Sequence, residues 1–184
     1  MSRLMRRFVR ETGGVSAVEF ALVLPLMLTL YLGSVEVSQA ISASRKVTLV
    51  SRAVADLTSQ ASTNITSADM TNMLNASSAI VSPLAAANLK VTVSCVGVNA
   101  TGAATVKWSE TLNGTKRPTG SAVTLPVDDK GQAIWKNTQL LWSEAQYSYT
   151  PAIGYVITGT MTLKDQMYMS PRSTTPTYNN IACT

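Results

Sequence analysis

Glu19 is the residue that most needs a reason, because it stands inside "GGVSAVEFALVLPLMLTLYLG" (residues 13–33), an otherwise apolar run. A carboxylate carried into hydrocarbon costs about 2.5–3.5 kcal/mol on insertion scales, so it either has a partner there or reaches back toward the headgroups. Cys95 and Cys183 are the second chemically distinctive pair, able to form one disulfide or to remain two thiols. The other candidates are weaker. Asp128 and Asp129 are adjacent in a turn-rich stretch and read as a solvated turn rather than a pair of metal ligands. "GTKRPTG" (114–120) is basic and flanked by glycines, but it lacks the spacing of a phosphate-binding loop and no helix follows it. Asn64, Asn75, Asn99 and Asn113 each open an N-x-Ser/Thr triplet, which a chain rich in Ser and Thr produces by chance. Trp108, Trp135 and Trp142 read as core or sheet-face side chains rather than a ligand platform. The chain contains no histidine, which removes Ser-His-Asp, Cys-His and most zinc constellations. These residues point to no catalytic site, no cofactor and no metal, and hence to a protein that is not an enzyme.

The element that must position Glu19 is the apolar run itself. From Val15 to Val37 it is interrupted only by Ser16, Glu19, Thr29, Ser34, Glu36 and the small or imino residues, about the twenty residues a helix needs to cross hydrocarbon. Arg3, Arg6, Arg7 and Arg10 precede it and only Arg45 and Lys46 follow closely, which sets the N-terminus inside and everything beyond about residue 40 across the membrane. A secretory signal peptide is the competing reading, with "SQAISAS" (38–44) offering small residues for cleavage after Ala43 and release of an adhesin or hydrolase. A signal peptide's apolar region, however, spans only about 7–15 residues. The chain holds fifteen basic and ten acidic residues; without residues 1–14, which carry four arginines and Glu11, eleven and nine remain. The body is then nearly neutral, so the overall basicity belongs to the membrane anchor and no nucleic acid is expected as a partner. On the oxidising side of a membrane, paired cysteines bridge, so Cys95 and Cys183 are expected to form a disulfide that ties the tail to the domain.

Residues 38–60 contain neither Gly nor Pro and continue the same helix, which is expected from about residue 15 to near 60. Val47, Val50, Val54 and Leu57 form one stripe at spacings of three and four; Ser34, Ser38 and Ser42 form another that would allow close helix approach. Either stripe fits packing on the chain's own domain or a seam with a second molecule. A polar stretch, 59–67, ends the rod. A shorter helix follows over 66–84, with Thr66 or Ser67 as N-cap, Asp69 in the first turn, and Met70, Met73 and Leu74 facing inward, until Pro83 closes it. From Leu89 the period changes to two. "LKVTVSC" (89–95) and "YVITGTMTLK" (155–164) alternate apolar and polar residues, "ATVKWSE" (104–110) is expected as a partner strand after the Asn99–Gly102 turn, and a further strand is expected over about 140–149, with loops at 113–120 and 127–132. The expected fold is α+β: a long N-terminal transmembrane helix extending into a small domain, where helix covers one side of an antiparallel sheet. The organisation expected is a leader at 1–14, a span at 15–37, a helical extension with a second helix at 38–88, and a β domain at 89–184.

The stretch "RETGGVSAVEFALVLPLML" (10–28) adds a family resemblance. A basic leader, Gly14, Glu19 five residues on, then Phe20 and an apolar helix resemble the N-terminus of bacterial type IV-like prepilins. Glu-Phe followed by "ALVLPLML" looks more narrowly like the TadE-like family of pilus assembly proteins from tight-adherence (Tad/Flp) systems, and residues 147–172 are similar to the tails of that family. The resemblance implies cleavage by a prepilin peptidase, with Gly14 the last leader residue, Val15 the new N-terminus, and Gly13 an alternative site. It implies a minor pseudopilin of the inner membrane, its C-terminal domain in the periplasm or carried into an extracellular pilus. Its partners would be other pilins or pseudopilins and the inner-membrane pilus machinery. Cleavage would leave an α-amino group about one turn from Glu19, and the carboxylate could meet the amine of a neighbouring subunit. An uncleaved membrane-anchored periplasmic scaffold is the alternative.

Overall fold

The computed structural model describes residues 13–61, 64–172 and 175–184. Helix α1 runs unbroken from Gly13 to Gln60, the continuous rod expected from the absence of breakers after Gly33. Pro25 lies inside it and supplies no N–H to the preceding turn. Thr29 Oγ1 donates to the Pro25 carbonyl at 2.9 Å, adding a side-chain bond one turn further on. The chain divides into two compact units. One holds α1 as far as Ala40 together with Pro151–Gly159, and the other holds Ile41–Thr150 with Thr160–Thr184.

In the first unit α1 hides almost none of its apolar side chains. Every residue from Gly14 to Leu28 is exposed, with Leu22 at 76% of its full accessible area. This is a helix whose apolar residues have no protein to pack on. Burial begins abruptly at Glu36.

In the second unit the remainder of α1 buries a narrow stripe of Ala43, Val47, Val50, Ser51, Val54, Ala55 and Thr58. Val47, Val50 and Val54 face the domain as their spacing requires, but Leu57 does not and stays 38% exposed. At 100° per residue Thr58 returns to the Val47 face, whereas Leu57 falls about 80° away. Thr58 can be buried because its hydroxyl donates to the Val54 carbonyl at 2.7 Å. Ser34, Ser38 and Ser42 are exposed.

Helix α2 spans Ser67–Val81. Thr66 is its N-cap: the Asp69 N–H donates to Thr66 Oγ1 at 3.2 Å and the Thr66 N–H to Asp69 Oδ2 at 3.0 Å, a reciprocal capping box. The Thr66 hydroxyl, which donates to Asp69 Oδ2 at 2.7 Å, and the Thr66 N–H hold the Asp69 carboxyl below its ordinary range. Met70 and Leu74 are buried with Ser77 and Val81, while Met73, expected to face inward, is only half-buried. Lys46 Nζ donates to the carbonyls of Ile80 and Ser82, placing a cation at the negative end of α2.

Five antiparallel strands follow: β1 Leu89–Val98, β2 Ala104–Leu112, β3 Ala122–Val123, β4 Thr138–Tyr149 and β5 Met161–Met169, in the order β3-β2-β1-β4-β5. The fold is α+β. Leu89, Val91, Val93 and Cys95 of β1 are buried on one face, with their β4 partners Tyr147, Ala145 and Leu141. Ser51 of α1 donates to Asp165 of β5 at 3.0 Å on that same face. The other face is not simply wet. A register shift between Cys95 and Val96 is followed by a second cluster of Val96, Val98, Ala104, Leu140 and Trp142, against which Val123, Leu125, Trp135 and Tyr168 pack. The turn-rich stretch after β2 therefore covers the sheet instead of hanging free.

The strand expected over 155–164 begins only at Met161. Residues 155–157 are not in the ladder, because their backbone N–H groups are spent on a carboxylate of α1, described below. A short hairpin that the sequence did not suggest, β6 Thr177–Tyr178 with β7 Ile181–Ala182, ends the chain.

Candidate functional site

Two carboxylates interrupt the apolar half of α1, and their settings are opposite. Glu19 is exposed, as are Gly14, Val15 and Phe20 around it. A side chain built at Gly14 would meet nothing within 4 Å, so the segment presents itself to whatever surrounds the helix. Arg3, Arg6, Arg7 and Arg10, of the expected leader, lie outside the described residues.

Glu36 is fully buried, at 0% exposure. Its Oε1 accepts the Tyr155 N–H at 2.6 Å, and its Oε2 accepts those of Val156 at 2.9 Å and Ile157 at 2.8 Å. Three consecutive amides can converge on one carboxylate only if the chain turns sharply before them, and Gly154 does so at φ +69°. Gly33, one turn before Glu36, leaves room for the loop: a side chain there would come within 3.1 Å of Val156 Cγ2. Hydrogen bonds to an ionised acceptor are about twice as strong as neutral ones, which is how a buried charge is tolerated here. Sequence reasoning registered Glu36 only as an interruption of the run. The clue was that a second acid stood in the same apolar helix.

At the far end of the chain Cys95 and Cys183 form a disulfide, with Cα atoms 5.8 Å apart. Ile65 holds the same tail from the other side, its N–H donating to Thr177 and its carbonyl accepting from Asn179. Tyr178 sets its ring 5.5 Å from that of Trp108, tilted by 46°, and donates its hydroxyl to Glu110 at 2.7 Å. Burial pushes the Glu110 carboxyl up, but hydrogen bonds from Lys116, Tyr178 and the Thr111 amide outweigh it and leave the group below the ordinary carboxylate range.

The basic loop residues are likewise consumed in structure. Lys116 pairs with Glu110 at 2.7 Å. Arg117 makes a forked pair with Glu144 and lies 4.0 Å over the Trp142 ring. Adjacent extended residues point to opposite faces, which is why two neighbouring cations serve the two sides of the sheet. Asp128 accepts the amides of Lys130 and Gln132, closing its own turn. Asn99 caps the β1–β2 turn, and Asn113 donates to the carbonyls of Ala86 and Leu89. Trp108 and Trp142 are buried and Trp135 is half-buried. Ala43, in the small-residue segment 38–44, is buried within α1.

A helix long and apolar enough to cross a membrane, with its apolar half unburied, leads into a domain closed by a disulfide. That build is consistent with a membrane-anchored protein whose folded part lies outside the cytoplasm. The comparison with protein families makes this specific: residues 14–56 match the family described as TadE-like protein. Over that segment the chain is similar to the TadE-like family. The match ends at Asp56 on α1 and does not reach residues 147–172, where a likeness to the family's tails was expected. No curated protein and no solved structure matches the chain.

Proposed function

We propose that the protein is a minor pseudopilin that takes part in assembling a Tad/Flp-type pilus. The supporting observation is the exposed apolar helix within the TadE-like segment, carrying Glu19 four residues after Val15 and continuing into a disulfide-bonded domain. In this reading a prepilin peptidase cleaves between Gly14 and Val15, and the helix anchors the protein in the inner membrane with its N-terminus inside. The domain beyond residue 40 stands in the periplasm. The role is structural: Cys95, Cys183, Glu36, Glu110, Lys116, Arg117 and Asp128 are each engaged in holding the fold. Glu19 has no partner of its own chain in this reading. It meets the new N-terminal amine of a neighbouring pilin, and a charge-assisted bond offsets the cost of its burial in lipid.

The test is to purify the protein from its native envelope, measure its mass and follow Glu19→Ala. Loss of residues 1–14 is expected in both forms. Glu19→Ala should insert at least as well as the wild type, since a burial cost is removed, yet fail to enter sheared pili or crosslink to the pilus machinery. An intact N-terminus would favour the uncleaved periplasmic scaffold. A Glu19→Ala protein that is cleaved and supports full piliation would remove the assembly role from this carboxylate.

A further inference from the structure

The Glu36 clamp holds a loop whose composition is unlike that of an ordinary surface turn. Pro151–Gly159, "PAIGYVITG", contains no charged residue. Ile153, Tyr155 and Val156 are each about half exposed, at 49%, 59% and 50%. Three large apolar side chains on a loop need either protein or lipid to cover them. The loop and α1 up to Ala40 belong to one compact unit, so the position of Glu36 along the helix gives the height of the loop. From Val15 to Glu36 is twenty-one residues, a rise of about 32 Å, and the hydrocarbon core of a bilayer is about 30 Å thick. If the apolar run begins at one face of the membrane, the Glu36 clamp lies at the other, where acyl chains meet headgroups. Tyrosine is a residue of that boundary, with an apolar ring and a hydroxyl that stays wet.

We propose that loop Pro151–Gly159 is a second membrane contact. It seats Ile153, Tyr155 and Val156 in the headgroup–acyl boundary of the leaflet where α1 emerges, and Glu36 is the positioning residue that holds it there. The bilayer is the occupant because the apolar surface of the loop continues the exposed apolar surface of the helix in the same unit, and because the loop brings no charge that must stay in water. Glu36 would meet a poor environment at this depth if left bare. The three amides shield it, and the same bonds fix the height of the loop. This inference rests on the membrane-anchored reading of α1.

The test uses the full chain in phospholipid nanodiscs, kept oxidised, with a nitroxide attached through Tyr155→Cys or, separately, Leu26→Cys. Depth is read from collision with oxygen, which partitions into lipid, against a water-soluble nickel chelate. The Leu26 label reports the span and the Tyr155 label the loop. Both should be shielded from nickel, with the loop label shallower. Adding Glu36→Ala should shift the 155 label toward nickel accessibility and leave the Leu26 label unchanged. Gly154→Val, which strains the left-handed turn without touching the helix, should shift the 155 label in the same direction. A shielded Leu26 label with a water-exposed 155 label would overturn the proposal and leave the anchor intact. An exposed Leu26 label would overturn both. A 155 label that becomes shielded only on adding envelope proteins would assign the loop to a protein partner and overturn the lipid contact.

Discussion

Helix α1 is one element that obeys two burial rules. Before Ala40 its apolar residues point in every direction and none is fully buried; Leu32 and Val35, just before Glu36, are half-covered. After Ile41 a stripe of Ala43, Val47, Val50, Val54 and Ala55 is buried to within a few percent, while Leu49 and Leu57 off that stripe stay exposed. Propensity does not change along the rod, since neither half contains a strong breaker apart from Pro25. What changes is the surrounding solvent for which each half is patterned. In lipid an apolar side chain gains nothing by facing protein, so a helix apolar all round is acceptable. In water the same pattern would be a liability, and the second half gathers most of its apolar residues on one buried face.

Charge follows the same contrast. In the second unit Arg117, Lys116 and Arg172 find carboxylates on the domain surface, where each pair is worth little individually. Among the described residues of the first unit no side-chain cation pairs with Glu36, and backbone amides stabilise the carboxylate instead.

Removing the disulfide is the largest test of this comparison. The bridge closes a separation of 88 residues, for which loop entropy gives about 4–5 kcal/mol. Cys95→Ala with Cys183→Ala should lower the unfolding midpoint of the domain strongly and free the β6–β7 tail to proteolysis. Membrane retention should be untouched. Denaturant melts and carbonate extraction of the same variant check both halves of that expectation.

A charge placed in each half of α1 comes next. Val54→Asp puts an unpaired carboxylate in the domain core and should cost about 3–5 kcal/mol of folding stability. Leu26→Asp should leave the domain's melt unchanged but cost about 2.5–3.5 kcal/mol in membrane insertion. If Leu26→Asp instead destabilised the soluble fold, the two-solvent account of α1 would fail.

The smallest expected effect concerns pH. The Glu110 carboxyl is depressed in the folded state, so its contribution is present above the unfolded carboxylate pKa. It is lost as pH falls through the lower folded value. Glu110→Gln should flatten the acid decline of stability, by about 1 kcal/mol at most because the Lys116 partner is well exposed. Urea melts between pH 3 and pH 7, about the range over which a carboxylate titrates, would detect it. An unchanged acid slope would mean that Tyr178 is held by its ring contact with Trp108 alone.

By itself, the sequence determined the parts that depend on local period and composition. The apolar run of α1, the capping box at Thr66 and Asp69, the alternation in β1 and β4, and the α+β class all follow from neighbours within a few residues. So does the family likeness of residues 14–56, because it rests on a linear pattern around Glu19. Tertiary structure decided whatever depends on residues far apart in the chain. Leu57 lost its place to Thr58 because the angular drift of the helix, not the hydrophobicity of the residue, chose the buried face. The turn-rich stretch after β2 became the cover of a second cluster because an extra residue in β2, Lys107, shifts the register and turns Ala104 to the face that already carries Val96 and Val98. Residues 155–157 read as strand by alternation but gave their amides to Glu36, about 120 positions earlier. A periodicity argument sees side chains and cannot see where a backbone N–H will find its acceptor. Only the folded chain brings that donor and that carboxylate together.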